Sequence, residues 1–201
     1  MFTNGNGRGN GHSNGHGAAA QAVGVATRTA SGPGAVTTEQ AVDLATRTPT
    51  MLRRTLELTT HHALEVFDVT GHCRDLLADS GVRDGHLSVF TPHTTCAVKI
   101  NENEACFHDD LRLFMQDLVP PDAYYRHDDF EVRDPATLAT TAEEEPINGH
   151  SHIKQMLLGS SSEIIPVIDG VLGLGQWQRV LFLELDQARP RRVRLQVEGW
   201  R

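Results

Sequence analysis

The sequence predicts a single α+β domain in which largely antiparallel β-sheets pack as in a sandwich, with two to three helices. Three observations favour this fold class. Helical patterns lie between the early and middle strand candidates, several strand candidates end the chain, and 201 residues suit one domain with a modest core. We place the domain at residues 51–201 and predict a disordered tail for residues 1–50, which begin as glycine and asparagine with few large apolar side chains.

The first predicted helix follows two strand candidates. The segment LRRTLELTT, at 52–60, alternates apolar and polar side chains as a strand does, and residues 63–69 predict a second strand. Thr70 can cap a helix that runs to about Ser80 and ends at Gly81. Three apolar side chains are spaced to share the buried face of this helix: Cys73, Leu76 and Leu77.

Two further strand candidates, 86–92 and 94–101, meet near Pro92. Because alternate residues of a strand share a face, the second candidate has two different faces. The apolar face is predicted to be buried and contains Cys96, Val98 and Ile100. The other face is small or polar, which suits a cavity wall, and contains Thr95, Ala97, Lys99 and Asn101.

The second predicted helix has the clearest pattern in the chain. Its large apolar residues recur at helical spacing, which predicts one buried stripe: Phe107, Leu111, Phe114 and Leu118. Pro120 ends this helix, and residues 122–149 are polar and irregular, as functional or mobile segments of compact domains usually are. A short third helix is predicted up to Leu158, with Gly159 ending it, and the rest of the chain is β-rich.

Composition argues against several classes of partner. The net charge of −8 and the pI near 5.7 do not suit nucleic-acid binding, and the arginines at 189–194 alternate with apolar residues like the polar face of a strand. No apolar run is long enough to cross a membrane. The three cysteines are odd in number and lack zinc-binding spacing, so Cys73 and Cys96 are predicted to be small buried residues in a cytoplasmic protein.

The histidines of NGHSHI are the tightest group of potential metal ligands. His150 and His152 are two residues apart, so an extended or pre-helical backbone would project both rings to one side, whereas helix-interior positions would separate them. Two imidazoles and a third ligand, from His127 or His93, would suit zinc or a similar divalent ion. The alternative is a helix N-terminus with ordinary polar side chains.

Other candidate residues have equally plain alternatives. His93 could line a pocket at a strand end or be an ordinary turn histidine, and Glu102 could be a general base or a solvent-exposed acid. The glycine-rich stretch DGVLGLGQWQ could offer backbone N–H groups to phosphate, but its spacing matches no phosphate loop and favours a hairpin turn.

Five stretches, HTTCAVKINENE, YRHDD, NGHSHI, LLGSS and GLGQWQRVLFLELD, occur in an order and at intervals that resemble the YjbQ-like family, also catalogued as secondary thiamine-phosphate synthase. The resemblance covers about residues 52–197. It implies packed β-sheets, a homotrimer, and a histidine-lined cavity suited to a divalent metal ion. The sequence departs from the family pattern at three places: residues 186–189 read Asp-Gln-Ala-Arg, Gly149 stands where alanine is common, and Gln176 stands where threonine is common.

The resemblance also implies roles for individual residues. The implied metal ligands are His127, His150 and His152, and the implied catalytic residues are His93 and Glu102. The implied substrate-binding residues are Thr94, Thr95, Asn101, Trp177 and Gln178.

The implied reaction joins a pyrimidine diphosphate to a thiazole phosphate and releases pyrophosphate. The ion would be zinc-like at the histidines, and Mg²⁺ could accompany the pyrophosphate group of the substrate. Two other hypotheses use the same cavity: a non-catalytic trimeric module that binds a small anion or metal, and a metal-dependent hydrolase.

Overall fold

The computed structural model describes residues 26–32 and 35–201, which fall into two units divided between Thr46 and Arg47. In the first unit, β1 (Ala26–Gly32) and β2 (Ala35–Ala41) pair as an antiparallel hairpin. The prediction of a disordered tail therefore does not describe these two stretches, whose threonines favour extended backbone. Its remaining part, residues 1–25, lies outside the described residues.

The second unit comprises Arg47–Arg201. In chain order its elements are β3 (Pro49–Thr59), β4 (Val66–Asp68), α1 (Thr70–Ser80), β5 (Asp84–Phe90), β6 (Cys96–Asn101), α2 (Ala105–Leu118), α3 (Gly149–Leu158), β7 (Ser162–Ile168), β8 (Val171–Leu172), β9 (Arg179–Glu184) and β10 (Pro190–Trp200). A single 3₁₀ turn, Pro135–Thr137, interrupts the segment between α2 and α3.

Two antiparallel sheets build this unit. One has the strand order β3-β10-β5-β7-β8 and the other has the order β4-β9-β6. The main core lies between the sheets and includes Cys73 and Leu76 of α1, while α2 and the end of α3 cover the opposite face of the smaller sheet. The predicted α+β fold with packed antiparallel sheets is confirmed.

The two inward-facing cysteines are small buried residues, as predicted. Cys73 and Cys96 are both fully buried, and burial raises the pKa of each thiol to about 12. Both side chains therefore contribute to packing and stay protonated at neutral pH. Cys106, near the start of α2, is exposed.

Helix α1 confirms the predicted bounds but corrects its cap. Thr70 is the first helical residue, and its hydroxyl accepts a hydrogen bond from the Val180 backbone N–H at 2.8 Å, so it joins the helix to β9 instead of capping it. The Thr70 N–H donates to the Asp68 carboxylate at 2.8 Å. Gly81 ends the helix with a φ of 67°, in the left-handed region that glycine adopts without strain.

Helix α2 also has the predicted bounds, but its apolar stripe is only partly covered. Met115 is buried and Leu111 packs against the smaller sheet, whereas Phe114 is 62% exposed and Leu118 is 53% exposed. The prediction that Phe114 and Leu118 are buried is wrong for one copy of the chain. None of the described helices has both the length and the apolarity needed to span a membrane.

The glycine-rich stretch from Asp169 forms a hairpin turn only at its beginning. Asp169 and Gly170, with φ of 52° and 82°, form the two-residue turn between β7 and β8. Residues 173–178 then cross to the other sheet, because β8 pairs with β7 and β9 pairs with β4 and β6. The predicted hairpin turn is confirmed for Asp169 and Gly170 and is wrong for residues 173–178.

Candidate functional site

The segment after α2 and the first turns of α3 bring several titratable side chains together. The His127 and His152 rings lie 4.6 Å apart between centroids and are tilted by 42°. Asp128 accepts a hydrogen bond from Nδ1 of His127 at 3.1 Å, and His150 and Lys154 follow on α3. We call these five residues, His127, Asp128, His150, His152 and Lys154, the histidine cluster.

Asp128 fastens the loop to the beginning of α3. Its carboxylate accepts from the backbone N–H groups of Asn148 at 3.0 Å and Gly149 at 2.9 Å, and Asn148 itself provides no side-chain cap. A carboxylate here satisfies free N–H groups and interacts favourably with the helix dipole. The same side chain therefore orients the ring of His127 and positions the helix that carries the other two histidines.

Gly149 lets the loop approach α3 closely. A Cβ atom added at this position would lie 2.7 Å from Cβ of Tyr125 and 3.1 Å from the Asp128 carboxylate. Contacts as short as the first do not occur between real carbon atoms, so alanine here would require a shift of the backbone. Glycine at this position therefore allows Tyr125 and Asp128 to lie directly against the first turn of α3.

Lys154 is a functional candidate that sequence reasoning missed. It is 1% exposed, and its Nζ lies 3.3 Å from Nδ1 of His150. No carboxylate lies within ion-pair distance of this ammonium group among the residues the structure describes. The available signal was its position four residues after His150, which places both on one helical face.

The hydrogen bonds around His150 depend on the protonation of Lys154. Ser151 donates its hydroxyl proton to the Leu185 carbonyl at 2.8 Å, and the same hydroxyl lies 3.1 Å from Nδ1 of His150. A charged Lys154 requires that this nitrogen accept, whereas a neutral Lys154 lets it donate to Ser151. The tautomer of His150 is therefore linked to the charge of the lysine.

Burial weakens the basicity of three members of the cluster. Desolvation lowers the pKa of His150, with a further contribution from the charge of Lys154. Desolvation likewise lowers the pKa of His152, followed by the charge of His127, and it lowers the pKa of Lys154. The neutral imidazole form of both α3 histidines is thus favoured at neutral pH, which is the form that accepts a proton.

The structure corrects the backbone prediction for the His-x-His pair. His150 and His152 both lie in the first turns of α3, so the extended arrangement that would direct both rings at one ion is wrong. No group of three His, Cys, Asp or Glu side chains in residues 26–32 and 35–201 is arranged to hold a metal ion. The helical backbone does not match the extended His-x-His pair expected for the three-histidine site. Metal binding by these histidines stays a prediction.

A buried ion pair supports the cluster from the side of the sheet. Arg191 donates two hydrogen bonds to Glu184, at 2.5 and 2.7 Å, and both side chains are at most 5% exposed. Asp186 continues this network because its N–H donates to Glu184 and its carboxylate accepts from Asn148 at 3.1 Å. Arg191 was predicted to lie on a polar strand face, and that prediction is wrong because its side chain points inward.

His93 lines a different, basic groove. Nε2 of His93 accepts from the Arg192 backbone N–H at 2.9 Å, and burial followed by the charge of Arg191 lowers the pKa of the ring. The groove has a volume of about 550 Å³, and Arg192 and Arg194 also line it. None of the histidine cluster lines this groove. Its arginines match the geometry and charge of phosphate.

The remaining predicted site residues divide between the two ends of β6. Thr94 is exposed in the turn before the strand, and Thr95 is buried, with its hydroxyl 3.3 Å from Arg191. The Thr95 carbonyl accepts a hydrogen bond from the Leu185 N–H, and the Leu185 carbonyl accepts one from the Ser151 hydroxyl of α3. The histidine cluster therefore lies at the Cys96 end of β6.

The other predicted residues lie at the far end of the smaller sheet. Asn101 pairs with Arg179, directly after Trp177 and Gln178, and Glu102 is the next residue along the chain. Five strand steps from Cys96 to Asn101 span about 17 Å, at about 3.4 Å each. One copy of the chain therefore does not bring Glu102 to the cluster. Trp177 is 66% exposed, and Gln178 accepts from the Gly175 N–H at 2.7 Å.

Comparison with known proteins decides the family. The chain matches the family model described as "UPF0047 protein YjbQ-like" over residues 54–199. The chain belongs to the YjbQ-like family. UPF0047 proteins of Methanothermobacter thermautotrophicus and Archaeoglobus fulgidus are 38% and 39% identical to it, covering 72% and 69% of this chain and 90% and 94% of theirs.

Solved structures of YjbQ-like proteins share the fold. A hypothetical protein from Aeropyrum pernix aligns with a TM-score of 0.61 and 33% identity, covering 75% of this chain and 98% of its own. A YjbQ/UPF0047 family protein from Clostridium acetobutylicum aligns with a TM-score of 0.58 and 28% identity, covering 73% and 98%. The likeness spans the second unit of the present chain.

Proposed function

We propose that this YjbQ-like protein is an enzyme that acts on a small phosphorylated substrate at the histidine cluster. The observation that carries the proposal is the arrangement of two adjacent imidazole rings, 4.6 Å apart, one of which bonds to a carboxylate at 3.1 Å. A histidine oriented through Nδ1 keeps Nε2 for proton transfer. In this arrangement, His127 is the oriented ring and His152 is its neighbour.

The two rings differ in surroundings, which suits them to different proton-transfer roles. Burial and the charge of His127 lower the pKa of His152, so His152 is suited to accept a proton at neutral pH. The Asp128 carboxylate holds the His127 ring through Nδ1 at 3.1 Å, which leaves Nε2 of His127 free for proton transfer to a departing phosphate oxygen.

Positive charge near the cluster favours an anionic substrate. Lys154 lies on the helix beside His150, and Arg133 reaches the His127 carbonyl at 3.4 Å. Both cations are placed to neutralise negative charge that develops on a phosphoryl group. Because the motifs of the sequence resemble those of proteins for which thiamine-phosphate synthesis is implied, we propose this transfer as the first reaction to test.

The proposed transfer leaves a limited task to the protein. The bond from the pyrimidine methylene carbon to the diphosphate oxygen breaks, and that carbon bonds to the thiazole nitrogen. The diphosphate keeps the electron pair and leaves as pyrophosphate, so catalysis depends on orientation and on stabilising this anion. Dependence on a divalent ion stays a prediction, and none of the bond changes described above is assigned to such an ion.

The direct experiment measures pyrophosphate release and thiamine phosphate formation from the two precursors, with Mg²⁺ present. We expect His152→Ala to lower turnover by about 10²-fold or more, the usual cost of removing one hydrogen-bond donor that stabilises a developing anion. His72→Ala is the matched control, because His72 is an exposed histidine on α1. Equal turnover by the native protein and His152→Ala would contradict the proposal.

Three further measurements distinguish a metal-dependent enzyme, a hydrolase and a binding module. Loss of turnover after chelation, restored by Zn²⁺ or Mg²⁺, would support the predicted metal requirement. Release of phosphate from simple esters without transfer would indicate a hydrolase. Thermal stabilisation by pyrophosphate without turnover of any candidate would instead support a binding module and count against an enzyme.

We also propose that the chain forms a cytoplasmic homotrimer, and exposed apolar side chains support an assembly. Leu113 and Phe114 of α2 are each 62% exposed, and Met156 and Leu157 of α3 are 78% and 57% exposed. Apolar side chains gathered on neighbouring helices often mark protein interfaces. Light scattering should give three times the chain mass, and Phe114→Glu should reduce it, whereas an unchanged monomer mass would contradict the assembly.

A further inference from the structure

Another cavity lies between α1 and the glycine-rich stretch that begins at Asp169. Its volume is about 500 Å³, within the range of about 300–1,000 Å³ that small-molecule sites occupy. Part of its lining is apolar and includes Leu77 of α1 and Leu174. The described lining also contains Arg74 and Arg179 but no acidic side chain. In a chain with a net charge of −8, this cavity is therefore a locally basic site.

The contact between α1 and β9 brings the two arginines to one cavity. The Thr70 hydroxyl accepts a hydrogen bond from the Val180 backbone N–H at 2.8 Å. Arg74 follows Thr70 by one helical turn, and Arg179 directly precedes Val180 in β9. The buried bond between the helix and the strand therefore fixes the two backbones from which the guanidinium groups extend.

Both guanidinium groups keep donors for a ligand. Arg74 is exposed and forms no ion pair with any described residue. Nε of Arg179 lies 3.8 Å from the Asp68 carboxylate, and Nη1 donates to the Gln178 carbonyl at 3.0 Å. Nη2 of Arg179 has no acceptor within the part of the chain that the structure describes. Guanidinium groups present their N–H donors in a planar fork that matches two oxygens of a phosphate.

A fixed turn in the glycine-rich stretch adds a backbone donor. The Gly175 N–H donates to Oε1 of Gln178 at 2.7 Å, and the Gln178 N–H donates to the Gly175 carbonyl at 3.1 Å. Gln176 lies in this turn, is exposed and lines the cavity, and no hydrogen bond between described residues uses its backbone N–H. The stretch can therefore offer an N–H group to an anion, although its spacing matches no phosphate loop.

We propose that this cavity binds a phosphate monoester with a compact apolar group. Arg74 and Arg179 match the charge of the phosphate, which carries about two negative charges at neutral pH, and the Gln176 N–H donates to one of its oxygens. The leucine side chains contact the apolar group. This site goes beyond the activity proposed above, because neither the histidine cluster nor His93 lines the cavity.

Three probes test the proposal on the full chain: phenyl phosphate, inorganic phosphate and phenol. The backbone amide resonance of Gln176 reports binding at this cavity alone, since phosphate bound elsewhere does not contact it. We expect phenyl phosphate to shift this resonance and to bind about tenfold more tightly than inorganic phosphate, because its ring buries apolar surface. Phenol should leave the resonance unshifted at the same concentrations.

Arginine variants identify the cations. Arg74→Gln and Arg179→Gln should each weaken phenyl phosphate binding, measured at the Gln176 resonance, by about tenfold or more, the usual worth of a hydrogen bond to a charged group. Arg194→Gln is the matched control, because Arg194 lines the groove beside His93, and it should leave this affinity unchanged.

Three results would each overturn the proposal. They are an unchanged Gln176 resonance at high phenyl phosphate, equal affinity for phenyl phosphate and either of the other probes, and an unaltered affinity in Arg74→Gln. The comparison of probes on the native protein and the exposed Arg74 remain decisive if Arg179→Gln does not fold.

Discussion

Replacing Asp128 tests how the loop and α3 form one site. The Asp128 side chain is 11% exposed and accepts from two backbone N–H groups, at 3.0 and 2.9 Å, and from His127 at 3.1 Å. Asp128→Ala removes all three bonds. Loss of a helix cap costs about 0.5–2 kcal/mol, which already includes the N–H groups left without an acceptor. We therefore expect the free energy of unfolding to fall by about 2 kcal/mol.

Asp128→Asn tests the negative charge of the side chain separately from its hydrogen bonds to the N-terminus of α3. The amide oxygen can still accept from the helix N–H groups, so only the charge-dependent part is lost, about 1 kcal/mol. The assay is urea-induced unfolding at fixed protein concentration, since an oligomer has a concentration-dependent stability. Loss of turnover should also be smaller than in Asp128→Ala, because the same oxygen, Oδ1, accepts from both N–H groups and from Nδ1 of His127, and an amide oxygen can keep these bonds.

A neighbouring aspartate provides the control for this series. Asp129 is half-buried and accepts from the Tyr124 hydroxyl at 2.7 Å and from the Glu131 N–H at 3.1 Å, without a bond to α3. Asp129→Ala should leave α3 and the ring of His127 in place. The reasoning would be refuted if Asp128→Ala unfolded at the same urea concentration as the native protein, or if Asp129→Ala were equally damaging.

Three other perturbations have expected outcomes. Gly149→Ala should destabilise the protein by about 1–3 kcal/mol in urea unfolding, because its Cβ would lie 2.7 Å from Tyr125; an unchanged midpoint would contradict that contact. Arg191→Met should cost about 3–5 kcal/mol because it leaves the buried Glu184 unpaired, and a neutral effect would show that the pair is not buried. His152 has a lowered pKa when folded, so its contribution is present above the unfolded pKa of about 6.5 and lost as pH falls below it. Stability should therefore decline as the pH falls below about 6.5, and less in His152→Gln; identical slopes would contradict the burial of this ring.

Local patterns predicted the elements of this fold well because their signals lie within each segment. Alternation identified β3 and β6, and Gly81 and Gly159 end their helices in the left-handed conformation. The spacing of apolar residues also placed α2 correctly. It could not show that Phe114 would be left exposed, because a stripe along one helix does not specify which neighbour covers it.

The site was harder to predict because it depends on contacts distant in sequence. The histidines of α3 and His127 come together only because Asp128 binds the helix N-terminus, 20 residues further along the chain. Conversely, Glu102 and His93 flank the same short strand in the sequence, but the extended backbone separates its ends by about 17 Å. Lys154 belongs to no motif, and its only signal in the sequence is its position four residues after His150.

A crystal structure of the protein soaked with pyrophosphate and Mg²⁺ would test the central claim most directly. We predict that density for pyrophosphate lies within hydrogen-bonding distance of His127 and His152, with Lys154 or Arg133 facing its charge. Pyrophosphate bound only in the arginine-lined groove beside His93, with the two adjacent imidazoles untouched, would contradict the assignment of the histidine cluster as the reaction site.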